Sequence, residues 1–409
     1  MDAAPEPMRA EFDLRVLALN GLRRGRTTGS CATAAVSAAL HLMLRNETVT
    51  EAEVMLPDQQ HYLVVPIQHV RWQDAQTVRA EVLKDGGDDP DSTHGATIFA
   101  EVRRNTLGML RFFAAQGVGT ATRPGLRVAV GEPAINPVPR RMMRQAVAAL
   151  AGDAQGFDLA IGCEGGEAIA RKTFNPRLGI VGGISILGTS GIVEPMSMAS
   201  WIASIEVYVR VALADGGDGA ADSAQNSAQN SAADSAADSG AECVAYLPGK
   251  IGRDFARDVL GLPERRAVQI ANFLGDALDF TQTALAERQR RLPQLWLAGH
   301  PGKLAKVLDD VWDTHSSRSD MAMGAVARVA AGRGHSAALV DALVAANTVE
   351  AAVELLKNEA DGPALWSDIE HRIAQRVHQR VPAVDCVRVR LFDMAGNVLG
   401  LERAGESVA

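Results

Sequence analysis

Apolar residues recur at helical spacing early in the chain and predict its first long helix. After the Thr27-Thr28-Gly29 turn, the apolar positions on one side of a 3.6-residue repeat are Ala35, Val36, Ala39, Leu40 and Met43. Residues 140–150 predict a second helix, because two prolines precede them and proline suits a first helical turn. Alternating and β-branched residues predict strands within 53–70, at 77–83 and at 125–130. This mixed order indicates an α+β domain.

The second half of the chain has a different pattern. Short apolar runs at 207–213, 244–247, 268–272 and 295–298 predict strands, and helical patterns follow the last three. Such strand–helix alternation predicts a mostly parallel sheet with covering helices. Residues 339–356 predict one long amphipathic helix. Residues 386–401 predict a terminal hairpin that turns at Gly396-Asn397.

Together these patterns predict a two-domain α/β protein. A loose leader is expected at 1–20, an α+β domain at 21–198 and an α/β domain at 199–409. A low-complexity insert at 216–241 interrupts the second domain with repeated SAQN and SAAD units that contain no large apolar side chain. Because it has nothing to bury, we expect the insert to be a disordered loop with no chemical role.

Composition narrows the class of protein. The chain of 409 residues is 47% hydrophobic and 22% charged, as globular proteins are. An aromatic content of 4% and a net charge of -8 disfavour nucleic-acid binding. Four widely spaced cysteines without a CxxC pair disfavour a zinc site or a disulfide framework. No secretory signal or membrane-spanning apolar run is visible, so we expect a cytoplasmic protein that does not bind membranes.

The first segment with candidate chemistry is RRGRTTGSCATAA at 23–35. Its three arginines precede a helix start, where backbone N–H groups favour an anion. Alternatively, Thr27 or Thr28 only caps the helix and the arginines are solvated. Cys31, one turn into the helix, would have a lowered thiol pKa if it were exposed there. A small core residue is the more common use of such a cysteine.

Two further segments are loops. KDGGDDPDSTHG groups five residues that could bind a cation or supply a general base, or form only a polar turn: Asp85, Asp88, Asp89, Asp91 and His94. KTFNPRLGIVGGISILGTSGIVEPMS, at 172–197, contains five glycines that let the backbone approach a ligand closely or form a structural hairpin. Its order of elements does not match the dinucleotide-binding fingerprint.

These segments, with VGEPAINPVPR between them and Thr-His-Ser at 314–316, resemble the cobalt-precorrin-5B (C1)-methyltransferase family. The resemblance covers 25–320, and the stretch after His315 looks less typical of the family. It implies methyl transfer from S-adenosylmethionine to C1 of cobalt-precorrin-5B, giving cobalt-precorrin-6A in anaerobic cobalamin biosynthesis. The cobalt belongs to the substrate, so no protein-bound metal is expected.

The implied substrate is a macrocycle rich in carboxylates, and an acidic protein must gather cations to bind it. The substrate-binding residues that the resemblance implies lie within or beside the motifs: Arg23, Arg24, Arg26, Thr27, Thr28, Gly29, Arg140, Lys172 and Arg177. In-line methyl displacement requires alignment rather than a nucleophilic residue. His94 and Asp89 are the candidates for a base, should the ring lose a proton.

S-adenosylmethionine is expected near loops that follow the strands of the second domain, facing the glycine-rich segment across the domain interface. The expected cofactor-binding residues are Gly182, Gly183, Gly188, Gly249, Gly252, Gly275, Gly299, His300 and Gly302. The GHPGK motif at 299–303 is not a P-loop, because Leu304 follows its lysine where serine or threonine is required.

Two other functions stay open. One is a kinase-like phosphoryl-transfer enzyme that uses the helix start and GHPGK, although the missing P-loop and magnesium site count against it. The other is a non-catalytic tetrapyrrole carrier, which would bind the macrocycle tightly without affinity for S-adenosylmethionine. The expected partner is the small-molecule tetrapyrrole, and the sequence leaves a homodimer open.

Overall fold

A computed structural model of the protein describes residues 9–152, 156–214, 243–315 and 322–401. The chain forms two compact units, Met1–Met198 and Ala199–Ala409. The low-complexity insert lies outside the described residues, so its expected disorder stays a prediction.

The first unit contains three helices and fourteen strands among its described residues. The helices are α1 (Thr28–Arg45), α2 (Pro137–Ala151) and α3 (Gly166–Ala170). The strands are β1 (Ala10–Glu11), β2 (Gly25–Arg26), β3 (Glu51–Met55), β4 (His61–Pro66), β5 (His69–Trp72), β6 (Thr77–Leu83), β7 (Thr97–Asn105), β8 (Leu110–Ala114), β9 (Gly117–Val118), β10 (Thr120–Ala121), β11 (Gly156–Cys163), β12 (Ile180–Val181), β13 (Gly183–Ile184) and β14 (Ile192–Val193). Both predicted helices are confirmed, and proline occupies the first turn of α2 as expected.

Helix α1 lies at the centre of this unit. It packs on α2 and on the sheet of order β5-β6-β7-β11-β8, in which β8 alone pairs parallel to its neighbour. Small side chains let these elements approach from several sides, and the fully buried alanines of α1 are Ala32, Ala34, Ala35, Ala38 and Ala39. The sequence predicted one apolar face for α1, but buried residues lie on nearly every side of the helix. A helix that is apolar on all sides is expected to be buried on all sides.

Two predictions for the first unit are wrong. Residues 125–130 form turns rather than a strand, because Pro124 cannot donate to a sheet and Gly125 and Gly131 adopt positive φ of 93° and 86°. The described part of the predicted leader is not loose, since β1 pairs parallel with β4 and Phe12 packs against the core. Strands β7, β8 and β11, which complete the main sheet, were not predicted from the apolar pattern.

The second unit contains one sheet and eight helices among its described residues. The strands are β15 (Cys243–Leu247), β16 (Ala267–Gln269), β17 (Leu292–Gly299) and β18 (Val384–Leu391). The helices are α4 (Met198–Ala214), α5 (Gly252–Asp254), α6 (Leu274–Glu287), α7 (Pro301–Leu304), α8 (Met323–Gly332), α9 (Ala337–Ala345), α10 (Val349–Lys357) and α11 (Gly362–Arg380), with helical turns of other types at Phe255–Val259, Glu264–Arg266 and Ala305–Asp309.

The sheet of the second unit is parallel throughout, in the order β16-β15-β17-β18, as the sequence predicted. Alternate side chains enter different cores, so Val244 and Tyr246 lie in one cluster while Ala245 and Trp296 lie in another. Both faces are therefore covered, which explains the continuous apolar runs of these strands.

Three predictions for the second unit need correction. Residues 207–213 belong to α4, because the apolar run is part of a longer helical segment. Residues 339–356 form two helices, since the Thr348 Oγ1 accepts from the Ala351 amide at 3.1 Å and starts a new helix. Residues 386–401 are only in part a hairpin, because β18 pairs parallel with β17. The predicted turn at Gly396-Asn397 is present, and it is closed by an antiparallel Phe392–Val398 bridge and by the Leu399 amide, which donates to the Leu391 carbonyl at 3.0 Å.

Candidate functional site

The start of α1 is closed by protein groups. Thr27 Oγ1 accepts from the Ser30 amide at 3.1 Å, and the Gly29 amide donates to the Leu187 carbonyl at 3.0 Å. Thr28 Oγ1 also donates to that carbonyl at 3.1 Å, and both threonines are buried. The expectation of unoccupied amides that bind an anion is therefore wrong for Gly29 and Ser30, because the segment around 187–191 covers the helix start.

Cys31 follows this cap and is completely buried. Burial raises the pKa of its thiol to about 12, despite the nearby positive charges of Lys84 and Arg26. A lowered thiol pKa is therefore excluded, and the interpretation of Cys31 as a small core residue is confirmed.

Two of the expected substrate-binding arginines serve internal contacts. The Arg24 Nε donates to the Glu194 carboxylate at 2.6 Å, and its Nη1 donates to two carbonyls of the 16–17 segment at 3.0 Å. Arg140 pairs with Glu132 at 2.9 Å and donates to the Ile135 carbonyl at 2.8 Å. Their side chains are only 16% and 13% exposed, which argues against contact with a large ligand.

The remaining expected cations have different surroundings. Arg23 binds the Asp88 carboxylate through its amide and its Nε, at 2.8 and 3.0 Å. Arg26 donates weakly to the Val64 carbonyl at 3.4 Å, and its buried Nε has no hydrogen-bond partner among the described residues. Lys172 is exposed, and the Arg177 guanidinium lies 5.4 Å from the centroid of the Phe174 ring.

The acidic loop 85–94 is ordered by contacts within it and with neighbouring segments. Asp85 Oδ1 accepts from the Gly87 amide at 2.9 Å, while Asp89 Oδ1 accepts from the Met196 amide at 2.8 Å. These bonds fit the polar-turn interpretation. Among the described residues no group of three or more His, Cys, Asp or Glu side chains could hold a metal ion.

His94 has one ring nitrogen in use. Its Nδ1 accepts from the Gly86 amide at 3.1 Å, so the neutral ring carries its proton on Nε2. To take up a proton, His94 would have to give up that hydrogen bond, whereas Asp89 keeps a second carboxylate oxygen for the purpose. This geometry favours Asp89 over His94 as the candidate base.

Lys84, for which the sequence predicted no role, anchors this loop. It is 1% exposed, and its ammonium pairs with the Asp91 carboxylate. Burial alone would raise the pKa of Asp91, but attraction to Lys84 and hydrogen bonds from Lys84 and Thr93 outweigh it and lower that pKa below its ordinary value. The available signal was a lysine at the end of a buried strand that precedes a run of aspartates.

Most glycines expected to bind the cofactor serve close packing instead. A Cβ on Gly188 would lie 2.5 Å from Thr27 Oγ1, and one on Gly183 would lie 2.1 Å from the Gly117 carbonyl oxygen. A Cβ on Gly252 would lie 2.3 Å from the Ala298 carbonyl oxygen. Gly275, Gly299 and Gly302 are tightly packed as well, with nearest distances of 2.9, 3.1 and 2.9 Å. Only Gly182 and Gly249 of the expected set border open space, so they alone could let a ligand approach the backbone.

The loops after β15, β16 and β17 share one edge of the parallel sheet, as the sequence predicted. Lys303, within GHPGK, joins them, because its Nζ donates to the Pro248 carbonyl at 2.7 Å and to the Ala271 carbonyl at 3.5 Å. Burial, with the nearby charge of Lys306, lowers the pKa of Lys303 below its ordinary value. Its bonds to carbonyls also disfavour the kinase-like interpretation, which needs this ammonium for phosphates.

His300 fixes the third loop. Its Nδ1 accepts from the Gly302 amide at 3.0 Å and caps α7, and its Nε2 lies 2.9 Å from a Glu350 carboxylate oxygen. Because Nδ1 is the acceptor in this cap, the proton of the neutral imidazole lies on Nε2. Nε2 donates it in a hydrogen bond to Glu350, in the first turn of α10. His300 therefore holds a loop in place, with no ring nitrogen left for a ligand.

Asp276, another residue for which the sequence predicted no role, lies in the first turn of α6, after the loop that follows β16. Burial raises the pKa of its carboxyl above the ordinary value of 3.8, and the negative charges of Asp279 and Asp313 add to the effect. Its half-buried position at the start of α6, directly after the loop that follows β16, makes it a candidate ligand-binding carboxylate of this edge. Only its position after a strand could have suggested it, because no motif surrounds it.

None of the helices in the described part of the chain combines the length and the apolar character needed to cross a bilayer.

Comparisons with known proteins match nearly the whole chain to one family. Residues 17–195 match the family CbiD, and residues 313–403 match CbiD, C-terminal domain. A Cobalt-precorrin-5B C(1)-methyltransferase of Ralstonia nicotianae is 59% identical over 96% of this chain and 97% of its own. One of Chromobacterium violaceum is 56% identical over 96% and 99%.

A solved structure of a cobalamin biosynthesis protein (cbiD) from Archaeoglobus fulgidus is 24% identical, with a TM-score of 0.35 over 74% of this chain and 86% of that one. The match at 313–403 corrects one expectation, because the stretch after His315 is as much part of the family pattern as the rest.

Proposed function

The chain belongs to the CbiD family, and from this membership we propose that it transfers a methyl group from S-adenosylmethionine to C1 of cobalt-precorrin-5B. The observation that carries the proposal is the near-full-length identity to methyltransferases of that name. The product is cobalt-precorrin-6A, and the cobalt enters and leaves with the substrate.

The donor site in this proposal is the carboxyl edge of the parallel sheet in the second unit. Ligands of open parallel sheets bind beyond the carboxyl ends of the strands. Lys303 supports this position because it holds two neighbouring loops through their carbonyls, and Gly249 supports it because a ligand can approach its backbone.

Asp276 is the residue we assign to the donor. A carboxylate can accept hydrogen bonds from both hydroxyls of a ribose, and its negative charge suits a sulfonium nearby. The residues of this edge therefore fit S-adenosylmethionine, which supplies an electrophilic methyl group for in-line displacement. Lys303, His300 and Glu350 keep the loops around it in one geometry.

In the first unit, Arg23, Arg26, Lys172 and Arg177 stay our candidates for the macrocycle carboxylates. Asp89 is the candidate base in the same proposal, for the case in which the ring loses a proton during methylation. Its Oδ1 is held by the Met196 amide, so Oδ2 keeps a defined position from which it can accept that proton.

The test is a direct assay of methyl transfer. Purified protein is incubated without oxygen with cobalt-precorrin-5B and S-adenosylmethionine that carries a ¹³C-methyl group, and the label is located by mass spectrometry and NMR. We expect one labelled methyl at C1 and one S-adenosylhomocysteine per product.

Other results of this assay separate the alternatives. Tight macrocycle binding without affinity for S-adenosylmethionine would identify a carrier, and ATP binding without methyl transfer would identify a kinase-like enzyme. The variant Asp276→Asn tests the donor site, since we expect it to raise the KM for S-adenosylmethionine and to leave the KM for the macrocycle unchanged.

A further inference from the structure

Two loops of the first unit carry five cations and no carboxylate. Residues 121–131 contain Arg123 and Arg127, and residues 170–183 contain Arg171, Lys172 and Arg177. In a protein with a net charge of -8, two adjoining segments of purely positive charge are an unusual concentration. The family resemblance implied a binding role for Lys172 and Arg177, but not for Arg123, Arg127 and Arg171.

Backbone pairing joins the two loops. Strand β10 pairs antiparallel with β12, and Thr122 donates to the Gly179 carbonyl through its amide at 2.8 Å and its Oγ1 at 2.7 Å. The aliphatic stem of Arg123 crosses Gly179, where a Cβ would lie 2.7 Å from the Arg123 Cγ. Arg123 is therefore fixed beside Gly179, at the end of the segment that carries Lys172 and Arg177.

The second loop is held in one conformation before any ligand arrives. Asn175 organises it, because its carbonyl accepts from the Ile180 amide at 2.9 Å and its Nδ2 donates to the Gly183 carbonyl at 3.2 Å. Thr173 Oγ1 donates to the Ala170 carbonyl at 2.8 Å and accepts from the Asn175 amide at 3.2 Å. Such preorganisation lowers the entropic cost of binding.

Apolar surface accompanies the charges. Phe174 is 38% exposed and Val181 is 59% exposed, and the Arg177 guanidinium lies over the Phe174 ring. A flat ring with charged substituents needs both an apolar contact and cations at its rim. The two loops offer both.

The acidic neighbours do not cancel the charge. The Glu132 carboxylate, which follows the first loop, is paired with Arg140 at 2.9 Å. Glu167 is exposed on α3 and lies outside both loops. Within the described part of the chain, Arg123, Arg171 and Lys172 are not paired with a carboxylate.

We propose that these two loops form a polycarboxylate-binding surface and that Arg123 and Arg171 are further binding residues for the macrocycle. The inference rests on the proposed function for the identity of the ligand. The charges of Arg123 and Arg171 bind carboxylates at the rim, while Phe174 and Val181 contact an apolar ring face. The donor has no part in this surface, so the loops affect macrocycle affinity alone.

The test compares Arg123→Gln, Arg171→Gln and the double variant with the wild-type enzyme. Exposed ion pairs contribute roughly threefold to fivefold each, so we expect the macrocycle KM to rise by about that factor in each single variant and about tenfold or more in the double variant. The kcat should stay within about twofold and the KM for S-adenosylmethionine should not change, because neither arginine aligns the donor.

Arg104→Gln is the matched control, since Arg104 is an exposed arginine on β7 in the same unit and belongs to neither loop. A second probe is the binding of a cobalt porphyrin octacarboxylate, followed by quenching of tryptophan fluorescence. We expect Arg104→Gln to match the wild type in both measurements, and the double variant to bind the probe more weakly. Arg171 is an exposed loop residue, so Arg171→Gln alone remains informative if the double variant folds poorly.

The outcomes distinguish this inference from the proposed function. If the wild type methylates cobalt-precorrin-5B but the double variant keeps its macrocycle KM, the surface is wrong while the function stands. If the wild type transfers no methyl group but binds the octacarboxylate through Arg123 and Arg171, the function is wrong while the surface stands.

Discussion

Many charged side chains in the described part of the protein form ion pairs with one another. Arg24 binds Glu194, Arg140 binds Glu132, and Lys84 binds Asp91 in a buried pair. Removing one member of a buried pair costs more than the pair contributes, because the other charge is left desolvated. A charged residue at one of these positions therefore contributes to folding as well as to any ligand binding. Measurements on single variants must separate the effect on stability from the effect on binding.

Asp89 and His94 are separated by substitutions that keep their hydrogen bonds. In Asp89→Asn the amide oxygen can still accept from the Met196 amide, and in His94→Gln the amide oxygen can accept from the Gly86 amide. If Asp89 is the base, we expect kcat to fall on the order of 10²-fold in Asp89→Asn and less than tenfold in His94→Gln. Single-turnover rates measure both, and the reverse order would assign the proton transfer to His94.

Asp276 allows a prediction about stability and pH. Its pKa is raised, so the folded state binds more protons than the unfolded state between 3.8 and the folded pKa, and stability falls as the pH rises through that window. Ionised Asp276 therefore destabilises the fold at pH 7, although a helix N-terminus favours a carboxylate. We expect Asp276→Asn to have the higher Tm at pH 7 and the difference to shrink towards pH 4. A lower Tm at pH 7 would mean that Asp276 only stabilises α6.

At the scale of elements, the glycine-rich segment acts as a cover for the start of α1. Its backbone comes so close that the Leu187 carbonyl accepts from Gly29 and Thr28, while Ser30 Oγ donates to the Gly191 carbonyl at 2.6 Å. Glycine permits this approach because a side chain would fill the space between the segments. The motif is thus part of the packing of the first unit before it is part of any binding site.

Gly188→Ala and Gly182→Ala test this packing. Both residues have positive φ, 141° and 92°, but only a Cβ at Gly188 meets another group, the Thr27 side chain. We expect Gly188→Ala to lose about 1–3 kcal/mol more unfolding free energy than Gly182→Ala, as overpacked sites do. Urea denaturation of both variants measures the difference in unfolding free energy. Equal losses in the two variants would mean that backbone strain at positive φ, and not the contact with Thr27, causes the destabilisation.

At the scale of the whole molecule, net charge and ligand charge have the same sign. The protein carries -8 and its proposed macrocycle carries several carboxylates, so the long-range interaction is repulsive and binding depends on local cations. Such short-range pairs at the surface are screened by salt.

We therefore expect the macrocycle KM to rise with ionic strength, by roughly threefold or more between about 0.05 and 0.5 M NaCl, because the local ion pairs are exposed. The KM for S-adenosylmethionine should change less, since its proposed site relies on hydrogen bonds and a half-buried carboxylate. Initial rates at both salt concentrations measure the two constants, and the Arg123→Gln/Arg171→Gln double variant should show a weaker dependence. A macrocycle KM that falls with salt would show that repulsion dominates.

Local patterns in the sequence by themselves determined the family, the parallel sheet of the second unit and the two main helices of the first. These depend on periodicity, proline positions and motif order, which are all properties of neighbouring residues. The predicted helix at 339–356 failed at Thr348, because a side-chain cap can end one helix and begin another without changing the apolar pattern.

Only the tertiary structure decided which charged side chains are paired within the protein and which glycines are packed against other groups. Arg24 and Arg123 look alike in the sequence, yet Arg24 meets Glu194, 170 residues away, while Arg123 crosses Gly179 and meets no carboxylate among the described residues. The same holds for Lys303, whose carbonyl partners come from two other loops. The physical reason is that hydrogen bonds and ion pairs act over a few ångströms, so their partners depend on how distant segments pack and not on their spacing along the chain.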